Sequence, residues 1–445
     1  MPGPMLYNEI MKSIKILPKT GLRGTVVVPG DKSISHRAAI LASLAKGKTR
    51  IRNFLFSDDC LVTLKALRFL GVKIVCNVRC SEVLINSKGY LEAPKEPLFM
   101  GESGTSARVL LGVLAGQNFV SKMTAASSLV KRPMLRVIKP LRLMGANISA
   151  RKAGGNEFLP LKVFPSPLKG AYWVQEVSSA QVKSAILLAG LFADGKTVVK
   201  EHVVTRDHTE RMLKYFGASI KVIGKEAHLD PCVIKTPGEV RIPCDFSSAA
   251  FFIVAALLVK GSRILIKDVG INPTRFGAFH VLERMGAKVG IFKRRMSFEP
   301  VADIETVYSS LTATTIKARE IPSLIDELPV LMVAAARARG KTVIEGAQEL
   351  RVKEADRIAS MCFNLRQLGI KVDVYGDQKN GEKIVIFGAG SFNGAALKSF
   401  GDHRTAMSAY VAALAADSVS TLDNASCVNK SFPCFFKTMR QLFAA

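Results

Sequence analysis

The side chains of this chain that could do chemistry are cations and carboxylates, and they gather at the openings of apolar, helix-like segments. PGDKSISHR offers Asp31, Lys32, Ser33 and Arg37, and GESGTSAR offers Gly101 and Gly104 followed by Arg108. Lys131 and Arg132 precede Pro133, while SSAQVKS brings Ser178, Ser179 and Gln181. Further on, PSLIDELP holds Asp326 and Glu327, RVKEADRI holds Lys353, Glu354 and Arg357, GDHRTAM holds Asp402, His403 and Arg404, and NKSFP holds Lys430. Cations grouped with hydroxyls and open backbone N–H groups suit a small, strongly anionic ligand. A carboxylate in an apolar neighbourhood, as IDELP predicts for Asp326 and Glu327, has its pKa raised by desolvation and is prepared as a base. RVKEADRI reads as helical, which would put Lys353, Glu354 and Arg357 on one face. TRDHTER adds Asp207 and His208, but no neighbouring Ser or Cys nucleophile completes a triad, so a structural or substrate-orienting role is expected there.

Each opening taken alone is an ordinary capped helix start. Their repetition is the stronger signal. Six apolar segments open on DKSISHR (Asp31 to Arg37), GESGTSAR (Gly101 to Arg108), SSAQVKS (Ser178 to Ser184), DFSS (Asp245 to Ser248), DELP (Asp326 to Pro329) and DHRTAMS (Asp402 to Ser408). A second helical pattern ends on a recurring glycine, at Gly71, Gly145, Gly217, Gly286 and Gly369, and the sixth copy, from Met439 to Ala445, stops where its glycine would come. The predicted unit is helix, strand, helix, strands, six times over, in two halves of three that divide near Pro243. The first helices of the first and third units are expected over Ala38 to Leu44 and Ala185 to Phe192. Helix starts carry unpaired N–H groups and a partial positive charge, so the repeated openings favour the same anionic ligand as Lys32, Arg37, Arg108 and Arg404.

The chain has 445 residues, 48% of them hydrophobic, enough for a large core and for two domains. The longest apolar run, Ala249 to Val259, is too short to span a bilayer, and MPGPMLYNEIMK lacks the apolar core of a signal peptide; a cytoplasmic location is expected. Eight cysteines are scattered without a CxxC pair or a Cys/His cluster, which predicts reduced, mostly buried thiols and no structural zinc. The net charge of +27 would suit nucleic acid, but the basic residues are spread along the chain and no nucleic-acid motif accompanies them.

The ordered set PGDKSISHR, GESGT, KRPM, SAQVKSA, IDELP, RVKEADR, GDHR and KSFP, spanning nearly the whole chain, closely resembles the 5-enolpyruvylshikimate-3-phosphate synthase family. The resemblance implies an inside-out α/β barrel fold of two domains, each of three βαβαββ units with helices packed inside, closing over a cleft. One domain would be residues 31–243, and the other residues 1–30 with 244–445. It implies transfer of the enolpyruvyl group of phosphoenolpyruvate to the 5-hydroxyl of shikimate 3-phosphate, by addition and elimination, with release of phosphate. Lys32, Ser33, Arg37, Ser179, Ala180, Gln181, Thr205, Arg206, Asp326 and Lys353 would bind shikimate 3-phosphate. Lys32, Gly104, Arg132, Gln181, Arg357, Arg404 and Lys430 would bind phosphoenolpyruvate. Asp326 would accept the hydroxyl proton, Glu354 would protonate the methylene carbon and Lys32 would assist the leaving phosphate. No metal or other cofactor, no nucleic acid, no membrane and a monomeric state are expected.

The chain departs from the family pattern at Glu102, where Asn is usual, and at Ala125 and Ala126, where Gly-Asp is usual. A carboxylate beside an anion cradle would repel phosphate. The related UDP-N-acetylglucosamine enolpyruvyl transferase is disfavoured because its Lys-Asn pair is Lys32-Ser33 here and its loop cysteine has no counterpart between Gly104 and Arg132. A nucleic-acid-binding protein similar to RNA 3′-phosphate cyclases would suit the charge without requiring RVKEADR, GDHR and KSFP together. A catalytically decayed homologue is the third alternative, motivated only by Glu102 and the lost Gly-Asp.

Overall fold

A computed structural model describes residues 13–376 and 381–443. The chain divides into two compact units, one of Pro29–Pro243 with Met296–Pro300, the other of the residues up to Val28, Cys244–Arg295 and the residues from Val301 onward. Residues 1–12 of the expected N-terminal tail, and Ala444 and Ala445 of the sixth copy, lie outside the described residues. The short segment Met296–Pro300, expected with the C-terminal half, clusters with the other unit.

In the unit built on Pro29–Pro243, three four-stranded sheets share one pairing order. Strand Glu239–Arg241 runs parallel to Gly47–Arg52, which is antiparallel to Glu82–Ser87, which is antiparallel to Lys73–Asn77. The same parallel, antiparallel, antiparallel order links Leu98–Phe99, Ser121–Thr124, Asn156–Phe164 and Asn147–Ala153. It links Tyr172–Val174, Thr197–Lys200, Glu226–Leu229 and Ile220–Ile223 as well. Among the described residues the second unit also has three sheets, and two of them take a strand from early in the chain: Arg23–Val26 pairs with Arg263–Gly270, and Ser13–Ile16 pairs with Ser420–Asp423.

The helices that follow the polar openings are core elements. All residues of Phe246–Leu258 and of His403–Leu414 are buried, and Lys32–Leu44 exposes only part of its first turn. A helix apolar all round has no solvent face, so its polar residues are confined to its ends. The sheets alternate in burial instead, as in Lys341–Glu345, and present one face outward. Close packing of helix on helix is visible at Gly112 of Gly104–Ala115, where a Cβ would lie 2.1 Å from the carbonyl oxygen of Ala185.

Two expected helix ranges are corrected, the first by its capping chemistry. The first helix begins at Lys32 rather than Ala38, because Asp31 accepts the Ile34 amide at 2.9 Å, and the third runs over Ala180–Gly190 rather than Ala185 to Phe192. Ser103, Asp245 and Asp402 cap their helices in the same manner. The recurring glycines all sit at positive φ, 84° at Gly71, 100° at Gly145, 79° at Gly217, 85° at Gly286 and 84° at Gly369. After each, the next amide bonds back five residues, as Val72 to Leu67 and Ile370 to Leu365. That is the Schellman turn, which a side chain at the left-handed position would strain.

Candidate active site

Within the unit built on Pro29–Pro243, side chains from three helix openings touch one another. Lys32 Nζ lies 2.7 Å from Asp59 Oδ2. Arg37 is buried and donates to Thr209 Oγ1 and Ser184 Oγ, both at 2.7 Å, and to the Ser33 carbonyl at 2.9 Å. Arg108 donates to Gln181 Oε1 at 2.8 Å, and Gln181 Nε2 donates to Thr105 at 2.9 Å, so the helices starting at Gly104 and Ala180 are joined at their N-termini. A Cβ on Gly104 would sit 3.3 Å from Arg108 and 3.3 Å from Arg132, which places two guanidinium groups over the first turn of that helix. Helix N–H groups with two guanidinium groups above them form an anion cradle.

His36 is wholly buried between Lys32 and Arg37, and its Nδ1 lies 2.7 Å from Thr63 Oγ1. Thr63 continues to Ser106 and Ser106 to the cap Ser103, at 2.7 and 2.8 Å. Burial, and then the charges of Lys32 and Arg37, lower the His36 pKa well below its ordinary value. Ser179 has its amide and carbonyl held by the buried amide of Gln175, at 3.1 and 3.2 Å. Thr205 is buried, whereas Ala180 and Arg206 are partly exposed.

In the second unit, Arg357 is the centre. Its Nε donates to Asp402 Oδ2 at 2.9 Å, Nη2 to Glu354 Oε2 at 2.5 Å, and Nη1 approaches Asp326 Oδ1 at 3.5 Å. Burial opposes its charge, but Asp402, Glu354 and Asp326 outweigh it and raise the pKa further. Arg404 approaches the same oxygen, with Nε 3.8 Å from Oδ1, and its Nη1 donates to the Asp326 carbonyl at 2.8 Å. Lys430 Nζ reaches the Gly401 carbonyl at 3.3 Å, next to the Asp402 cap. Lys353 is partly exposed yet has a lowered pKa, chiefly from desolvation, with Asp326 and Glu349 pulling the other way.

Two expectations are corrected here. The neighbourhood of Asp326 is not simply apolar: the guanidinium groups of Arg357 and Arg404 lie 3.5 and 3.8 Å from its Oδ1. RVKEADRI is not one helix: Gln348–Val352 is a 3-10 turn, and the α-helix starts at Arg357 with Asp356 as its cap. Lys353 and Glu354 lie in the irregular stretch between, and Arg357 meets Glu354 across that junction. Several partners had no signal in the sequence. Asp59, Gln175, and the buried Lys183 with Glu201 and Glu210 are brought in by pairing between distant elements.

The family model described as EPSP synthase (3-phosphoshikimate 1-carboxyvinyltransferase) matches residues 16–439. The chain belongs to the EPSP synthase family. It is therefore a transferase. It is 44% identical over 431 residues to the 3-phosphoshikimate 1-carboxyvinyltransferase of Thermoanaerobacter sp. (strain X514), covering 96% of this chain and 100% of the relative. To that of Desulforudis audaxviator it is 46% identical over 434 residues, covering 97% and 99%. The solved EPSP synthase of Acinetobacter baumannii superposes with a TM-score of 0.85 at 41% identity, covering 97% of this chain and 98% of that one. The enolpyruvyl transferase NikO of Streptomyces tendae, at 17% identity and a TM-score of 0.76 over 96% of each chain, shares the fold.

The two departures from the family pattern lie next to the Gly104 turn. Ser128 donates to Glu102 Oε1 at 2.8 Å, and the Ala126 amide bonds to the Gly101 carbonyl at 2.8 Å, so the segment carrying Ala125 and Ala126 is fastened to the turn carrying Glu102. Asp207, His208 and Glu299 place potential ligand atoms within 4.8 Å of one another. Arg211 stands 2.8 Å from Asp207 and 4.0 Å from Glu299, and His208 lies 2.7 Å from Glu299. Among the described residues all eight cysteines are free thiols; Cys60, Cys244, Cys362 and Cys427 are buried, while Cys80 and Cys434 are exposed. No helix among them is long and apolar enough to cross a membrane.

Proposed function

We propose that this chain transfers the enolpyruvyl group of phosphoenolpyruvate to the 5-hydroxyl of shikimate 3-phosphate and releases phosphate, in the shikimate pathway to chorismate and the aromatic amino acids. Family membership supports the reaction, and one observation supports the assignment of chemistry to residues: Asp326 is flanked by Arg357 and Arg404, with Glu354 on the same guanidinium. In this reading Asp326 takes the proton of the 5-hydroxyl as its oxygen attacks C2 of phosphoenolpyruvate, and Glu354 delivers a proton to the methylene carbon. Glu354, a carboxylate once it has given up that proton, takes one back from the resulting methyl group; the C–H electrons re-form the double bond as the C–O bond to phosphate breaks, and Lys32 assists the leaving phosphate.

The other roles follow the motifs. Lys32, Gly104, Arg132, Gln181, Arg357, Arg404 and Lys430 surround phosphoenolpyruvate, where cations balance a phosphate and a carboxylate and hold them beside the acceptor. Lys32, Ser33, Arg37, Ser179, Ala180, Gln181, Thr205, Arg206, Asp326 and Lys353 bind shikimate 3-phosphate. We read the fold as the inside-out α/β barrel of six βαβαββ units, three per domain, and the protein as a cytoplasmic monomer without nucleic-acid partners; the scatter of its basic residues supports the last point.

Phosphate release measured with both substrates and with each alone tests the reaction, and release from phosphoenolpyruvate alone would sink it. Asp326→Asn tests the chemistry: turnover should fall roughly 10²-fold or more while both substrates still bind. Near-normal turnover would remove Asp326 from proton transfer.

A further inference from the structure

Lys183 is 1% exposed, and its Nζ lies 2.7 Å from Glu201 Oε2 and 2.7 Å from Glu210 Oε1. Burial works against the lysine charge, but Glu210 and Glu201 more than offset it and raise its pKa, while burial raises that of Glu210. Apolar side chains of similar volume commonly serve a core at least as well as buried ion clusters. What the cluster touches is therefore more informative than its energy.

Glu201 uses its second oxygen, Oε1, to accept from the Thr205 amide at 3.2 Å and from the Thr205 hydroxyl. Lys183 Nζ also reaches the Thr205 carbonyl, at 3.4 Å. Amide, hydroxyl and carbonyl of one residue are thus held by one buried ion pair. The segment between strand Thr197–Lys200 and helix His208–Tyr215 has no regular structure of its own, so no helix or strand hydrogen bonding fixes Thr205. The neighbouring pair Ser184 and Thr209, 2.6 Å apart, ties the same two helices together and carries Arg37.

We propose that Lys183 and Glu201 are positioning residues for the shikimate 3-phosphate side of the site: Glu201 holds Thr205, and with it Arg206, beside the helix that starts at Ala180, and Lys183 holds Glu201. This rests on the reading that Thr205 and Arg206 meet shikimate 3-phosphate. Glu210 supplies counter-charge to Lys183, whereas of the two carboxylates only Glu201 bonds Thr205.

That difference gives the test. Glu201→Gln and Glu210→Gln each remove one buried charge from beside Lys183, but only the first disturbs Thr205. Glu201→Gln should raise the KM for shikimate 3-phosphate about ten-fold, the scale of one well-placed hydrogen bond, with kcat and the phosphoenolpyruvate KM within about two-fold. Glu210→Gln should leave all three constants within about two-fold. An unchanged KM in Glu201→Gln, or an equal rise in both variants, overturns the proposal. Should Glu201→Gln fail to fold, amide exchange in the wild-type enzyme without ligands decides: a protected Thr205 amide supports the proposal, and exchange at the rate of an exposed loop amide overturns it. Arg206→Ala separates the two layers. Normal shikimate 3-phosphate KM in that variant defeats the underlying reading, whereas a raised KM there with a silent Glu201→Gln defeats only the positioning role.

Discussion

The carboxylate of Asp402 holds Arg357 and Arg404 together: Oδ2 accepts the Arg357 Nε at 2.9 Å, while Oδ1 caps the next helix by accepting the amides of Arg404 and Thr405 at 2.8 and 3.0 Å. One side chain therefore sets both the guanidinium of Arg357 and the backbone that carries Arg404. Asp402→Asn keeps an oxygen for the cap and loses the charged acceptor. It should lower stability by about 3 kcal/mol, as expected when a buried ion pair loses one partner, and raise the phosphoenolpyruvate KM about ten-fold or more. Urea unfolding and steady-state kinetics measure the two effects, and an unchanged KM would argue that Arg357 does not meet phosphoenolpyruvate.

Glu102 is fastened to Ser128, in the turn leading to Gly104 and the guanidinium groups of Arg108 and Arg132. Glu102→Asn should lower the phosphoenolpyruvate KM by about three-fold at low salt, with the difference shrinking as salt is added. The shikimate 3-phosphate KM should not move. Identical phosphoenolpyruvate constants in both proteins at low salt would show that the carboxylate exerts no repulsion on the ligand.

Lys353 has its pKa lowered mainly by desolvation, so in the ligand-free enzyme it loses its proton at a lower pH than an ordinary lysine. An anionic ligand favours the protonated form. Binding of shikimate 3-phosphate should take up a proton at alkaline pH, between the lowered value of the free enzyme and the value in the complex, and affinity should weaken as pH rises through that window. Lys353→Arg, charged throughout, should flatten this alkaline loss. Calorimetry in buffers of different ionisation enthalpy reads the proton directly, and equal heats in all buffers would contradict the expectation.

His36 makes the opposite kind of contribution. Its pKa in the folded protein is lowered by burial first and then by Lys32 and Arg37, with Asp31 opposing, so below its ordinary value of 6.5 the unfolded chain binds a proton that the folded protein does not. Stability should fall as pH drops below that point, with a slope of up to about 1.4 kcal/mol per pH unit from this group, until the folded value is reached. His36→Asn, whose amide can occupy the place of Nδ1 beside Thr63, should remove this part of the slope. Chemical denaturation from pH 7 to 5 compares the two, and equal slopes would rule out a neutral buried imidazole.

What was legible in the sequence is what local chemistry writes there. Asp31, Asp245 and Asp402 announce helix starts because a capping carboxylate must sit within three residues of the amides it accepts, and Gly71 or Gly369 announces a helix end because the left-handed turn is local too. The ordered motifs likewise pointed to the family. Lys353 and Glu354 misled because their spacing to Arg357 fits a helix, while the Asp356 cap starts that helix only at Arg357. Lys183, Glu201 and Glu210 were silent because the contacts joining them span three segments of the chain, and nothing in VKS or VKEHV marks Lys183 or Glu201 as buried.

The pairing of Ser13–Ile16 with Ser420–Asp423 makes the order of synthesis matter. Residues 29–243 form nearly all of one unit as an unbroken stretch, so that unit can collapse while the ribosome is still translating the rest. The other unit cannot close this sheet until a strand made before that stretch meets one made well after it, and until then an unpaired edge is open to wrong partners and to chaperones. Cells producing this protein should therefore hold a half-built intermediate whose lifetime is set by elongation, not by the intrinsic folding rate of the first unit.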